Sequence, residues 1–210
     1  MTKKDKANFI LDQISKMYPN ASIELNYRKN YELLIAIMLS AQTTDVAVNK
    51  ITKKLFLDFK SLEDYAKADI KVLESYIKTI GLYRNKAKNL KKLAQMIIDE
   101  FQGVIPQDQK LLEKLPGVGR KTANVYLAEY YKIPRIAVDT HVSRVSIRLG
   151  LAKVGDSPLQ VENKLMKIYD RDQWIRLHHQ FIHFGRYFCK ARNPQCKTCP
   201  LLKVCKMPMI

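Results

Sequence analysis

The sequence predicts an all-α fold. Apolar residues recur at three- and four-residue steps along most of the chain, and glycines and prolines fall where those runs start or stop. The only strand-like fragment, Ile136-Ala137-Val138, is too short to build a sheet. Taken in order, Glu32 to Ala41 (ELLIAIMLSA) is apolar on nearly every face and predicts a buried central helix. Ala87, Leu90, Ala94, Ile97 and Phe101 mark a long helix with lysines 86, 88, 91 and 92 near its start and Gly103 as its stop. Ala123, Tyr126, Leu127 and Tyr130 mark another, ended before Pro134, and Val142, Val145 and Leu149 a third, closed by Gly150. Ser157-Pro158 reads as an N-cap followed by proline at the first helical position.

With 47% apolar residues, 210 residues suffice for one large domain or two small ones, each with its own core. The longest apolar stretch, Leu33 to Leu39, is far too short to cross a bilayer. The opening MTKKDKANFILDQI has neither a sustained apolar run nor a small-residue cleavage site, so a cytoplasmic protein is expected. Thirty-seven Lys and Arg against twenty Asp and Glu give a net charge of +17 and a pI near 9.7. Such a field suits a polyanionic partner, nucleic acid first and an anionic membrane surface second. The membrane option also wants a basic amphipathic helix or a lipidation signal, and neither is strongly stated.

All four cysteines, Cys189, Cys196, Cys199 and Cys205, lie within the last 22 residues, spaced C-x6-C-x2-C-x5-C. A disulfide framework would tie distant segments together; four thiolates in one loop suit a tetrahedral metal or an iron–sulfur cluster, and the spacing alone does not choose between zinc and iron. Lys190 and Arg192 share that loop, either to contact phosphate or as a solvated basic face.

A weak internal repeat, thirty-six positions apart, relates Ile80-Gly81-Leu82-Tyr83-Arg84-Asn85-Lys86-Ala87 to Pro116-Gly117-Val118-Gly119-Arg120-Lys121-Thr122-Ala123. Each copy opens a longer helix, so both read as helix–turn–helix hairpins. The second is better formed, because Gly117 and Gly119 allow positive φ and close backbone approach, whereas Tyr83 replaces the second glycine in the first. Leu115 to Ala123 delivers backbone amides and the positive end of a helix dipole to one place, which makes either a phosphate site or a plain glycine turn between packed helices. Lys121 falls in the first turn of that helix beside Arg120. A helix N-terminus, an adjacent cation and partial burial each disfavour its charged form, the condition for a nucleophilic amine; its plainer use is to neutralise phosphate. Asp139, eighteen positions on, precedes a helix, where a carboxylate is an N-cap by default. A functional Asp139 would have to meet Lys121 across a cleft.

With these residues assembled, the chain resembles the endonuclease III family of DNA base-excision repair glycosylases over nearly its whole length, from about residue 23 to Cys205. LPGVGRKTA is similar to the family's helix–hairpin–helix, IAVDTHVSRV to the segment with its catalytic aspartate, and the cysteine spacing to its [4Fe–4S] loop. Ser40-Ala41-Gln42-Thr43-Thr44-Asp45 and Thr79-Ile80-Gly81-Leu82-Tyr83 look like two further family segments. The resemblance implies a six-helix barrel-like domain over residues 23–134, and a cluster domain made of residues 1–22 with 135–210, flanking a DNA-binding cleft with Lys121 and Asp139 on opposite walls.

It implies an enzyme that flips a damaged base, chiefly an oxidised pyrimidine, out of double-stranded DNA. Lys121 would attack the sugar C1′ to give a Schiff base that permits β-elimination at the abasic site, and Asp139 would stabilise the cationic sugar or move protons. Gln42 and Leu82 would fill the vacated stack, Gly117, Val118, Gly119 and Arg120 would grip the backbone, and His141 would approach it beside the cleft. The four cysteines would hold a [4Fe–4S] cluster; the expected state is a monomer, cytoplasmic and drawn to the nucleoid by its DNA. The related adenine-mismatch glycosylase lacks a lysine at the nucleophile position and carries a further C-terminal domain, whereas here Lys121 is present and the sequence ends five residues after Cys205. A rival of another class is a non-catalytic DNA-binding protein with a zinc-stabilised tail.

Overall fold

A computed structural model describes residues 2–209, and every regular element among them is helical. The α-helices are α1 (Lys3–Met17), α2 (Asn30–Leu39), α3 (Asp45–Asp58), α4 (Leu62–Lys67), α5 (Ile70–Ile77), α6 (Tyr83–Phe101), α7 (Gln109–Leu112), α8 (Arg120–Glu129), α9 (Thr140–Arg148), α10 (Pro158–Ile168) and α11 (Trp174–His183). A π-helical turn, Phe184–Phe188, continues α11, and single 3-10 turns fall at Arg171–Gln173, Cys196–Thr198 and Leu202–Val204. None of the described helices is long and apolar enough to cross a membrane. The chain divides into two compact units, Glu24–Tyr131 and Met1–Ile23 with Lys132–Ile210.

In the unit Glu24–Tyr131, α2 is buried along its length from Tyr31 to Leu39 and packs against α3, α6 and α8. An apolar helix still needs its entry fixed by polar groups. The buried carboxylate of Glu32 accepts the backbone N–H groups of Arg28 (2.6 Å) and Lys29 (3.2 Å), which fixes where α2 begins. The stripe of α6 turns inward as its periodicity predicts, with Ala87, Leu90, Leu93, Ala94 and Ile97 buried against α4 and α5. Its end is a two-residue left-handed cap and not Gly103 alone. Gln102 (φ 54°) precedes Gly103 (φ 78°), whose N–H reaches back to the Ile97 carbonyl at 2.9 Å.

In the other unit the N-terminal helix joins the C-terminal half of the chain. Ala7, Ile10, Leu11 and Ile14 of α1 share one core with Val142, Val145, Val161, Leu165, Leu177, Phe181 and Phe184. Each buried Val, Leu, Ile or Phe stabilises by about 1.5–3 kcal/mol, which holds helices too short to persist alone. α10 starts with a reciprocal cap: Ser157 Oγ accepts the Gln160 N–H, Gln160 Oε1 accepts the Ser157 N–H, and Pro158 takes the first helical position. α9 closes on Leu149, with Gly150 left-handed at φ 69°.

Candidate active site and cysteine loop

Helices α7 and α8 are the arms of the hairpin, and its two glycines are there for different reasons. Gly117 has φ +81°, and a Cβ on it would stand 2.9 Å from Met38 Sδ and 3.1 Å from Asn89 Cβ. Conformation and crowding both demand glycine. Gly119 has an ordinary φ of −97°, and a Cβ there would meet nothing within 4 Å. It is the N-cap of α8 with no capping side chain, so the space ahead of the helix stays open. The first helical bond of α8 runs from Ala123 N–H to the Gly119 carbonyl (3.0 Å), and helix geometry aims the preceding amides out of the helix end, where an anion is best received. Arg120 and Lys121 in this first turn are exposed; the partial burial expected of Lys121 is not found, because nothing in its unit covers the end of α8. The Val118 side chain is 5% exposed and its N–H donates to the Leu115 carbonyl at 3.0 Å, so Val118 anchors the turn.

The degenerate first hairpin joins α5 to α6. Here the left-handed residue is no glycine but Leu82, at φ 59° and 56% exposed. Gln42, exposed in the turn after α2, is also left-handed at φ 55°. The two tips adjoin: a Cβ on Gly81 would lie 3.9 Å from the Gln42 carbonyl. A left-handed conformation costs a non-glycine residue on the order of 1–3 kcal/mol, and an exposed leucine returns none of it through burial. Beneath these tips lies Lys86, buried and hydrogen-bonded to the turn that carries Gln42. In the sequence it is one of four lysines near a helix start, with nothing to separate it from its neighbours.

In the other unit Asp139 is the N-cap of α9, its Oδ1 accepting the Val142 N–H at 2.8 Å, so the capping role is present and the carboxylate is held by its own backbone. His141 is half-buried in the first turn of the same helix, and its Nδ1 lies 3.2 Å from the Arg144 guanidinium, an arrangement in which Nδ1 is the acceptor. Burial pushes the His141 pKa below its ordinary value, while Asp139 nearby pulls it back up. Gly185, in the π-helical turn, lets this segment approach α9 closely; a Cβ there would lie 2.9 Å from His141 Cβ and 3.2 Å from Val145 Cγ2.

Cys189, Cys196, Cys199 and Cys205 are free thiols, each half-buried. Burial pushes the Cys199 thiol pKa up, and the nearby Cys189, Cys205 and Cys196 push the same way. Among the described residues no group of three or more His, Cys, Asp or Glu side chains is arranged to hold a metal ion. Two arginines that the sequence did not single out clip this loop to α9. Arg144 donates to the carbonyls of Gly185 (2.7 Å) and Cys189 (3.2 Å). Arg148 donates to those of Lys190 (2.7 Å) and Ala191 (3.2 Å) and reaches Cys189 Sγ at 3.4 Å. Lys190 and Arg192 are exposed.

Known proteins agree with this architecture. Residues 35–171 match the family described as HhH-GPD superfamily base excision DNA repair protein. The chain is 50% identical to the endonuclease III of Bacillus subtilis, over 98% of this chain and 94% of that protein. It is 42% identical to that of Escherichia coli, over 97% and 96%. A solved endonuclease III, trapped as a covalent intermediate with DNA, superposes with a TM-score of 0.95 at 51% identity, over 98% of this chain and 97% of that one. A thermostable thymine-DNA glycosylase, at 24% identity, shares the fold with a TM-score of 0.86, over 96% of each chain. A cysteine loop clipped to the helix of a capped aspartate, and a lysine at the open end of a glycine hairpin, thus sit in a chain that belongs to the HhH-GPD superfamily of base excision DNA repair proteins and, within it, to the endonuclease III family.

Proposed function

We propose that this chain removes oxidised pyrimidines from double-stranded DNA and then cleaves the strand at the resulting abasic site. The observation that carries this is the exposed Lys121 in the first turn of α8, directly after a glycine N-cap that leaves the helix end open. The open end would receive a backbone phosphate through amides and helix dipole, a contact independent of base sequence that seats the lysine near one sugar. The Lys121 amine then attacks C1′, the glycosidic bond breaks, and the departing base takes up a proton. Nζ then loses a proton, the C1′–O4′ bond opens and O4′ takes up a proton, leaving a C1′–Nζ Schiff base that acidifies the C2′ hydrogen; loss of that hydrogen expels the 3′ phosphate, and water later frees the lysine. Asp139, a carboxylate fixed by the Val142 amide, stabilises positive charge on the sugar or moves protons in the same reaction. Gln42 and Leu82 fill the stack that the flipped base leaves, which suits their exposure and costly left-handed backbones. His141, Arg120, Lys190 and Arg192 supply further approach to the phosphates, in keeping with the net charge of +17.

The four cysteines, free and half-buried in one loop of an endonuclease III family chain, suit a [4Fe–4S] cluster. Cys189, Cys196, Cys199 and Cys205 would hold the cluster, which when bound serves to brace the loop that carries Lys190 and Arg192.

Borohydride trapping on duplex DNA holding an oxidised pyrimidine or an abasic site tests the reaction. The protein should form a covalent adduct with either substrate, and Lys121→Ala should abolish it while largely preserving binding. Undiminished trapping by Lys121→Ala would name another amine as the nucleophile and overturn the assignment.

A further inference from the structure

Among the described residues Lys86 is the only buried lysine. An ammonium has three N–H donors, and here each has an acceptor: the Leu39 carbonyl at 2.9 Å, the Ala41 carbonyl at 2.7 Å and Thr43 Oγ1 at 2.9 Å. The first of these lies at the C-terminal end of α2, where the helix dipole favours a cation. The three acceptors bracket Gln42, whose φ is 55°. On the same residue, the Lys86 N–H donates to the Leu82 carbonyl at 3.0 Å, the first helical bond of α6. One residue thus grips both exposed left-handed tips, Gln42 through its side chain and Leu82 through its backbone. Burial lowers the Lys86 pKa, and no carboxylate contributes to that shift. A buried cation without a counter-charge is a poor stabiliser of a fold, so its geometry is the better account of its presence.

We propose that Lys86 is a positioning residue, which locks the Gln42 turn to the Leu82 tip so that the two enter a duplex as one rigid wedge. This rests on the reading above that Gln42 and Leu82 fill the vacated stack. Unstacking a base costs a few kcal/mol, and a loop that yields under that load would leave the base in place.

The test uses Lys86→Met, which keeps the length of the side chain without its donors, and Thr43→Val, which removes one acceptor and keeps the fold if Lys86→Met does not. Hydrogen exchange in the free protein should speed up at the amides of residues 40–44 in both variants; unchanged exchange there overturns the clamp whatever Gln42 does. Single-turnover base removal from a duplex should fall about a hundredfold in Lys86→Met, as for a displacement near 1 Å, and less in Thr43→Val. Strand cleavage at an abasic site in single-stranded DNA, where there is no stack to fill, should stay near the parent rate. Equal losses on the two substrates would mean a merely structural role and overturn the proposal. Adding Gln42→Ala to Lys86→Met should cost little more than Lys86→Met alone, since both remove the same wedge; additive losses overturn the coupling. If Gln42→Ala by itself leaves the duplex-to-single-strand ratio unaltered, the stack-filling reading has failed independently of the clamp.

Discussion

Replacing each hairpin glycine with alanine should separate folding from binding. In Gly117→Ala the new Cβ forces a residue at φ +81° into the left-handed region, at about 1–2 kcal/mol, and presses on Met38 and Asn89. Met38 Sδ, 2.9 Å away, ends a flexible side chain, but Asn89 Cβ at 3.1 Å is fixed to α6, so overpacking adds about 1–3 kcal/mol. The sum, about 2–5 kcal/mol, is a large share of the stability of a domain and should lower its melting temperature by roughly 10–20 °C. In Gly119→Ala the backbone is ordinary and the Cβ meets open space, leaving only the loss of a good N-cap, up to about 1 kcal/mol. That Cβ stands where a phosphate would approach, however. Losing charge-assisted bonds of about 1.5–3 kcal/mol should weaken binding roughly 10–100-fold. Circular dichroism melts, with fluorescence anisotropy on a duplex carrying an uncleavable abasic analogue, measure the two effects separately. If the two variants melt alike, or if Gly119→Ala binds as the parent does, the division of labour between these glycines is wrong.

Gly185→Ala should destabilise the unit that contains α9 by about 1–3 kcal/mol, because its Cβ would meet His141 Cβ at 2.9 Å and backbone on both helices leaves little room to yield; a denaturant midpoint equal to the parent's would contradict this. Cys199→Ser should lose iron and visible absorbance and speed hydrogen exchange in residues 132–210 while leaving residues 24–131 protected; retained iron in full amount would show that Cys199 is no ligand. Burial holds the folded-state pKa of His141 below its unfolded value near 6.5, so the unfolded chain takes up the proton first as the pH falls. The stability due to this group is therefore complete above that value and lost as pH drops toward the folded-state pKa. His141→Asn should flatten the urea midpoint between about pH 7.5 and about pH 5, and an unchanged slope would exclude His141 as a source of the acid response.

The helices could be read from the sequence because their spacing records one face turned inward: Ala87, Leu90, Ala94 and Ile97 are all buried, as their periodicity requires. Reciprocal caps such as Ser157 with Gln160 are local chemistry and equally legible. What escaped depends on contacts distant in the chain. Residue type announces glycine's freedom at Gly117, but nothing in the letters marks Gln42, Leu82 and Gln102 as left-handed, since neither glutamine nor leucine favours that region. Four lysines near the start of α6 look alike until the end of α2 is known to lie beside one of them. Val118 sits within the hairpin motif, yet its side chain belongs to the core; a motif names a segment and does not say which way each side chain points.

No cysteine takes part in the proposed reaction, and the contacts of α9 show how the cysteine loop would still bear on it. This helix has nine residues and spans about 13 Å, too short to bend appreciably. Its N-cap is Asp139, its first turn carries His141, and Arg144 and Arg148 further along hold the carbonyls of Gly185, Cys189, Lys190 and Ala191. The Lys206 N–H also donates to the Arg148 carbonyl at 2.7 Å, so the segment beyond Cys205 is fastened to the same helix. Several supports of the loop are thus contacts with α9, and a loop displaced by the loss of a bound cluster would pull on that helix. At Asp139 even about 1 Å of such movement is of the size that costs a positioned group about a hundredfold in rate. With Asp139 in its proposed role, the four cysteines would act on the chemistry through the position of one carboxylate.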